Sequence, residues 1–430
     1  MLKDVNPVKK FEGSIEPPPD KSISHRAAMF AAISEEISVI RNYSKAADPQ
    51  STLKCLRSLG VHCVANEEDG EVKISGVGRS GFRIPDEPLD CGNSGTTMRL
   101  LGGILAGAAI PCILTGDSSL SSRTMKRIID PLTMMGCKVT ARDGEYAPLQ
   151  IEKHNGVQNI HYPLPIASAQ LKSAVLLAGL FGENVTTVLE EKQSRDHTER
   201  LLGLTSQKVE TGRVIRSSRA DKVPAQSYRI PGDFSAAAFW LVAGSLHDGS
   251  DIKLKNVGIN PTRSAALKIL EEMGADFSIQ PESDGAKEPV AAITVRPAQL
   301  KGIELSPELI PNCIDELPIL MVAMCFAEGR SVISGAEELR HKETDRLSAM
   351  GEILTRSGAH TELKKDGIVI HGDPGFKPRP AEYPTWHDHR MAMASAILAS
   401  RSEGRSVIQD AECTAISYPE FWEHFDYLAG

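Results

Sequence analysis

Residues 92–117 read GNSGTTMRLLGGILAGAAIPCILTGD. Gly92-Asn93-Ser94-Gly95 is a polar turn, and its Asn and Ser are helix N-cap residues. TTMRLLGGILAG then predicts an apolar helix, and PCILTGD a short strand closed by Gly and Asp. A second helix follows in IIDPLTMMGCKVT, where Gly136 after the last apolar turn is a C-cap signal and the alternating residues behind it predict another strand.

The same order recurs along the chain. Asp20-Lys21-Ser22 leads into HRAAMFAAISEE and ISVIRN, and Ala167-Ser168-Ala169-Gln170 into LKSAVLLAGLFG and VTTVLEE. Pro231-Gly232-Asp233 leads into FSAAAFWLVAGSL and SDIKLKN, and Asp315-Glu316 into LPILMVAMCFAEG and RSVISGA. The last copy runs from Asp388-His389-Arg390 through MAMASAILAS to RSVIQDA. The second helix returns as TLKCLRSLGVHC, ALKILEEMGADFSI and MGEILTRSGAHTEL; LLGLTSQKVE reads as a degenerate copy without the usual Gly, and the chain ends at FWEHFDYLAG. Six copies of a βαβαβ-like unit, about 65–80 residues each, therefore predict an α/β protein. At three copies per domain, the division falls near Pro231-Gly232.

The 430 residues exceed the size at which one core keeps growing, so two domains are the default. No apolar run approaches the roughly 20 residues that span a bilayer. The first residues carry neither an apolar h-region nor an Arg/Ser-rich amphipathic stretch, so the expected location is the cytoplasm. A net charge of -8 argues against nonspecific nucleic-acid binding. Eight scattered cysteines without a C-x-x-C pair fit reduced structural thiols better than disulfides or zinc.

The polar turns carry the chemistry. Five of the six apolar helices start on capping residues: Asp20/Ser22, Asn93/Ser94, Ser168, Asp233 and Asp388. Helix N-termini present unpaired N–H groups and partial positive charge to anions. Lys21, Arg26, Arg99, Lys172, His389 and Arg390 cluster beside these starts, and Arg123, Arg195, Lys342 and Arg346 follow in nearby turns. Arginines set in polar turns suit bidentate holding of carboxylate or phosphate, although each one alone reads as a solvated charge. Asp315, Glu316 and Glu343 are the acid–base candidates. Asp315 opens its helix as cap or base, and Glu343 lies between Lys342 and Arg346, which either hold it ionised or neutralise it. His387, Asp388 and His389 are adjacent and lack further ligands, so no metal site is expected.

DKSISHR, GNSGTTMR, SAQLKSA, RDHTE, PGDxSxAAF, NPTR, IDELPIL, HKETDR and DHRMAMA stand in the order found in 5-enolpyruvylshikimate-3-phosphate synthases, and the chain resembles that family from about Ile15 to Phe421. RDHTE, SAQ-x-K and N-x-T-R are similar to the class II branch, which includes many glyphosate-tolerant bacterial enzymes. The resemblance implies two domains, each of three βαβαββ repeats around a pseudo-threefold axis: residues 19–231, and 1–18 with 232–430, with the active site in the cleft between them. It implies transfer of the enolpyruvyl group of phosphoenolpyruvate to shikimate 3-phosphate by addition and elimination, without metal or organic cofactor, in a monomer.

By the same resemblance Lys21, Ser22, Arg26, Ser168, Gln170, Arg195, Asp315 and Lys342 take shikimate 3-phosphate. Lys21, Asn93, Gly95, Arg123, Gln170, Arg346, His389 and Arg390 take phosphoenolpyruvate, with Lys342 beside them. Asp315, Glu343 and Lys21 move protons. Departures from the family pattern are Pro19 where Gly is usual, Ala169 where Ser is frequent, and Ile416 where one branch has Lys. Insensitive relatives often carry Ala where this chain keeps Gly95, which predicts inhibition by glyphosate. Two other readings are a sister transferase acting on UDP-N-acetylglucosamine, whose reactive loop Cys has no counterpart in GDSSLSSR, and a non-catalytic binding protein of the same fold.

Overall fold

The computed structural model describes residues 1–66, 70–282 and 287–430. It divides into two compact units: Met1–Pro18 with Pro231–Asp284 and Pro289–Gly430, called here the terminal unit, and Pro19–Ile230 with Gly285–Glu288, the mid-chain unit. Each has its own apolar core.

In the mid-chain unit three four-stranded sheets share one wiring. Leu89–Asp90 runs parallel to Cys112–Thr115, which pairs antiparallel with Tyr146–Glu152, and that strand pairs antiparallel with Lys138–Arg142. A parallel neighbour cannot be reached by a tight turn, so each parallel pair needs a crossover, here the helix Gly95–Gly107. His161–Pro163, Thr186–Glu190, Gly212–Ser217 and Ser206–Val209 repeat the pattern around the helix Ala169–Gly179. The sheet of Ile37–Arg41, Glu71–Ser75 and His62–Asn66 takes its parallel edge from Ser227–Arg229, so the unit's last strand completes its first sheet.

The terminal unit has a like arrangement. Glu12–Ile15 pairs parallel with Asp251–Gly258, followed by Val290–Arg296 and Asp276–Glu282. Single parallel bridges at Lys301–Glu328 and Glu304–Val332 stand where the parallel edge strand would be beside Gly329–Ile333, Ile368–Gly372 and His360–Leu363. Lys3–Val5 completes the sheet of Ser406–Ile408 and Glu382–Tyr383.

The first helix of each repeat is the core. All residues of Gly95–Gly107, Phe234–Leu246 and Leu317–Cys325 are buried; the last two are apolar nearly all round, and the first pairs its Thr96, Thr97 and Arg99 within the fold. Gly103 lets the helices Gly95–Gly107 and Ala169–Gly179 approach closely: a Cβ there would lie 2.6 Å from the Ala174 carbonyl oxygen. The second helices stop where the sequence places glycine. Gly60, Gly136, Gly274 and Gly358 all have φ between +78° and +93°, the left-handed region a side chain disfavours. The LLGLTSQKVE copy is less degenerate than its sequence suggests. Gly203, at φ +68°, closes the helix His197–Leu202 and leads into the strand Ser206–Val209. That short helix lacks a long apolar run, so its Gly did not stand out. Among the described residues no helix is long and apolar enough to cross a membrane.

Candidate active site

Five helix starts are capped as the sequence requires. Asp20 accepts from Ile23 N, Ser94 from Thr97 N, Ser168 from Leu171 N, Asp233 from Ser235 N and Asp388 from Arg390 N. Leu317–Cys325 differs. Its N-cap position is Glu316, without a side-chain cap, so Asp315 is not a helix cap.

In the mid-chain unit side chains join the three starts to one another. Arg26 of the helix Lys21–Ile33 donates from Nε to Thr198 Oγ1 (2.9 Å) and from Nη2 to Ser173 Oγ (3.1 Å). Gln170 donates to Thr96 Oγ1 (3.0 Å) and accepts from Arg99 Nη1 (2.7 Å). His25 Nδ1 and Thr52 Oγ1 lie 2.7 Å apart, as do Thr52 Oγ1 and Thr97 Oγ1, and Thr97 donates to Ser94. First helix meets third, third meets second, and second meets first. Buried hydrogen bonds of this kind make the three N-termini a single rigid frame.

Cations and donors gather on that frame. Lys21 Nζ is 3.2 Å from Asp48 Oδ2, and half-buried Ser22 follows it. Arg123 donates to Asn93 Oδ1 (2.7 Å) and Ser119 Oγ (3.0 Å), while Asn93 donates to Asp117 (2.8 Å). A Cβ on Gly95 would stand 2.6 Å from Arg99 Nη1 and 3.7 Å from Arg123 Nη1, so two guanidiniums flank that position. Burial draws the Arg26 pKa down to about 10 against the pull of Glu199 and Asp20, and the charge of Arg195 adds to the fall. Ser168 Oγ accepts a backbone bond and keeps its hydroxyl proton for donation. Ala169 begins the third helix, and its carbonyl accepts from Ser173.

Lys172 does not join these cations. It is fully buried, with Glu190 at 3.0 Å and Glu199 at 2.7 Å, so its charge is spent inside the unit. Sequence position beside a helix start could not reveal two carboxylates brought by a later strand and helix.

In the terminal unit Arg346 is the centre. Its guanidinium meets Asp388 (Nε–Oδ2, 2.7 Å), Glu343 (Nη2–Oε2, 2.6 Å) and Asp315 (Nη1–Oδ1, 3.3 Å), with 1% of the side chain exposed. Burial works against its charge, but Asp388, Glu343 and Asp315 outweigh it and raise its pKa. Arg390 donates from Nη1 to the Asp315 carbonyl (2.9 Å). Buried His389 lies against Asp388 (3.9 Å). Burial lowers the Lys342 pKa, while Asp315 and Glu338 oppose the fall. Asp315, Lys342, Glu343, Arg346, His389 and Arg390 thus assemble within one unit.

Glu316 is corrected. It is fully buried, 2.7 Å from Arg263 Nη1 and hydrogen-bonded by Ser235, so it is a structural carboxylate rather than an acid–base group. Arg263 also meets Asp233 (3.1 Å) and Ser235, which ties NPTR, PGDxS and IDE into one buried cluster. Asp388 caps its helix, as its sequence position predicts, and also clamps Arg346, a contact without a local sequence signal because the two lie 42 residues apart. Ile416 packs on the terminal core. Cys112 is buried in a strand with its thiol pushed up to about 12, as expected of a core cysteine.

Relatives agree with this architecture. The enolpyruvyl transferase NikO of Streptomyces tendae has the same fold at a TM-score of 0.76 and 15% identity, over 99% of this chain and 97% of that one. The protein therefore has the enolpyruvyl transferase fold. EPSP synthase of Acinetobacter baumannii superposes at a TM-score of 0.87 with 37% identity, covering 99% and 98% of the two chains. The 3-phosphoshikimate 1-carboxyvinyltransferases of Salinibacter ruber and Bacillus thuringiensis are 47% and 42% identical, over 100% and 99% of both chains. The family model for EPSP synthase (3-phosphoshikimate 1-carboxyvinyltransferase) matches residues 5–425, and the chain belongs to that family.

Proposed function

We propose that this protein transfers the enolpyruvyl group of phosphoenolpyruvate to the 5-hydroxyl of shikimate 3-phosphate, releasing inorganic phosphate. The observation that carries the reading is the Arg346 cluster, where a buried guanidinium holds Asp315 and Glu343 together beside Lys342, His389 and Arg390. Lys21, Ser22, Arg26, Ser168, Gln170 and Arg195 hold shikimate 3-phosphate, with Asp315 and Lys342 at its reacting side. Lys21, Asn93, Gly95, Arg123, Gln170, Arg346, His389 and Arg390 hold phosphoenolpyruvate.

The 5-hydroxyl gives its proton to Asp315 as its oxygen bonds to C2 of phosphoenolpyruvate, while C3 takes a proton from Glu343. The product is a tetrahedral ketal phosphate. C3 then returns a proton as the C2–O bond to phosphate breaks, leaving the enol ether. Lys21 shares in these transfers. Glu343 suits the C3 role because it lies against the Arg346 guanidinium (Nη2–Oε2, 2.6 Å), which takes the anionic phosphoenolpyruvate.

RDHTE, SAQ-x-K and N-x-T-R support a place in the class II branch. We take the enzyme to work as a cytoplasmic monomer; buried cysteines that form no disulfide fit a reducing compartment.

Phosphate release by the full chain tests the reading, with both substrates, each alone, and Glu343→Gln. Release that needs both and falls at least about 100-fold in the variant supports it. Binding of shikimate 3-phosphate without release would favour a non-catalytic protein and make Pro19 the first residue to revert.

A further inference from the structure

Lys172 lies one turn into the helix Ala169–Gly179, fully buried, yet it is charged: burial opposes the ammonium, and Glu199 and Glu190 overcome it to raise its pKa. Its Nζ donates to Glu190 and Glu199 and lies 3.5 Å from the Ser194 carbonyl. Glu190 ends the strand Thr186–Glu190, and Glu199 belongs to the helix His197–Leu202. Between the two glutamates runs 191–196, the segment that carries Arg195.

That segment is pinned at its functional end. Glu190 Oε1 accepts from Ser194 N (2.8 Å) and from the Ser194 hydroxyl, and Ser194 directly precedes Arg195. Just beyond, His197 Nδ1 lies 2.8 Å from Glu288 Oε1, and Thr198 accepts from Arg26. Arg195 is near enough for its charge to help lower the Arg26 pKa. The group of one lysine and two glutamates carries a net negative charge, which favours both cations remaining in place before any anion arrives.

We propose that Lys172, Glu190, Glu199 and Ser194 are positioning residues that hold Arg195 and Arg26 ready for the 3-phosphate of the acceptor substrate, without touching it themselves. The inference rests on reading Arg26, Ser168 and Arg195 as the shikimate 3-phosphate site. It makes recognition of the phosphate depend on a buried ammonium that no substrate reaches.

The test is steady-state kinetics of full-length Lys172→Met, Glu190→Gln and Ser194→Ala. Each is measured with shikimate 3-phosphate and with shikimate, which lacks the phosphate, and thermal melts run in parallel. Lys172→Met is expected to raise KM for shikimate 3-phosphate at least about 10-fold, with kcat and KM for phosphoenolpyruvate within about 3-fold. Preference for shikimate 3-phosphate over shikimate in kcat/KM should fall by a similar factor. A merely structural defect would lower both acceptors equally and leave that preference intact, which would overturn the proposal. If Lys172→Met does not fold, Ser194→Ala decides. It removes one hydroxyl, and an unchanged KM for shikimate 3-phosphate in this variant would refute the pinning. Wild-type protein without turnover would defeat the function reading itself, whereas active wild type with unaltered preference in the variants would defeat this inference alone.

Discussion

Gly95→Ala places a methyl carbon where the Arg99 guanidinium stands. The new Cβ would be 2.6 Å from Nη1, which must retreat by about 0.8 Å to reach an ordinary 3.4 Å contact. Arg99 is buried, and Nη1 donates to Gln170 Oε1 at 2.7 Å while Nη2 donates to the Thr124 carbonyl at 3.2 Å. The retreat breaks the bond to Gln170, a charge-assisted one worth about 1.5–3 kcal/mol. That is roughly a 10- to 150-fold loss if Gln170 holds substrate as proposed. We expect kcat/KM for phosphoenolpyruvate to fall within that range, mostly through KM, and the inhibition constant for glyphosate to rise. Phosphate-release kinetics at varied phosphoenolpyruvate and inhibitor measure both. The same substitution in an Arg99→Ala background, where space is available, should cost less than about 3-fold, as a double-mutant cycle requires of coupled groups. Equal inhibition constants for wild type and variant, or an undiminished penalty without Arg99, would refute the crowding argument.

Arg346→Met should abolish turnover and destabilise the protein by about 3–5 kcal/mol in urea denaturation, because Asp388, Glu343 and Asp315 then lose the buried guanidinium they share. Arg346→Lys should restore little, since a point charge cannot meet three carboxylates through a planar fork. Burial pushes the His25 pKa well below 6.5 and that of His247 to about 4, so both fold neutral. The unfolded chain binds those protons first, so stability is full above about pH 6.5 and falls below it, by at most about 1.4 kcal/mol per pH unit for each histidine. A urea midpoint that does not drop between pH 7 and pH 5 would contradict this. All eight cysteines are buried, and burial pushes the thiols of Cys63, Cys112, Cys137 and Cys413 up to about 11–12. A disulfide reagent should therefore label none in the native protein and all eight after denaturation; rapid native labelling of Cys112 would reopen the reactive-cysteine reading.

The proposed site was partly legible because its frame is local. Asp20, Ser94, Ser168, Asp233 and Asp388 cap helices through N–H groups two or three residues away, so residue type and the apolar run behind it suffice to find them. Gly60, Gly136, Gly274 and Gly358 are equally local, each answering to the backbone angle of its own helix end. Charges are not local. Lys172 and Arg26 look alike in sequence, as basic residues one turn into an apolar helix. The fold gives Lys172 two buried glutamates and gives Arg26 a serine, a threonine and a neighbouring arginine.

The sequence by itself thus determined the repeat, the helix starts and stops, and the set of residues from which a site for anions could be drawn. Tertiary structure alone decided which strand completes each sheet, as when Ser227–Arg229 pairs with Ile37–Arg41. It also decided which carboxylates are structural: Glu316 meets Arg263 from 53 residues away, while its neighbour Asp315 faces Arg346. Caps and turns are set by hydrogen bonds between close neighbours in the chain. The role of an ionisable group depends on desolvation and on its partners, and both are fixed only when distant segments pack.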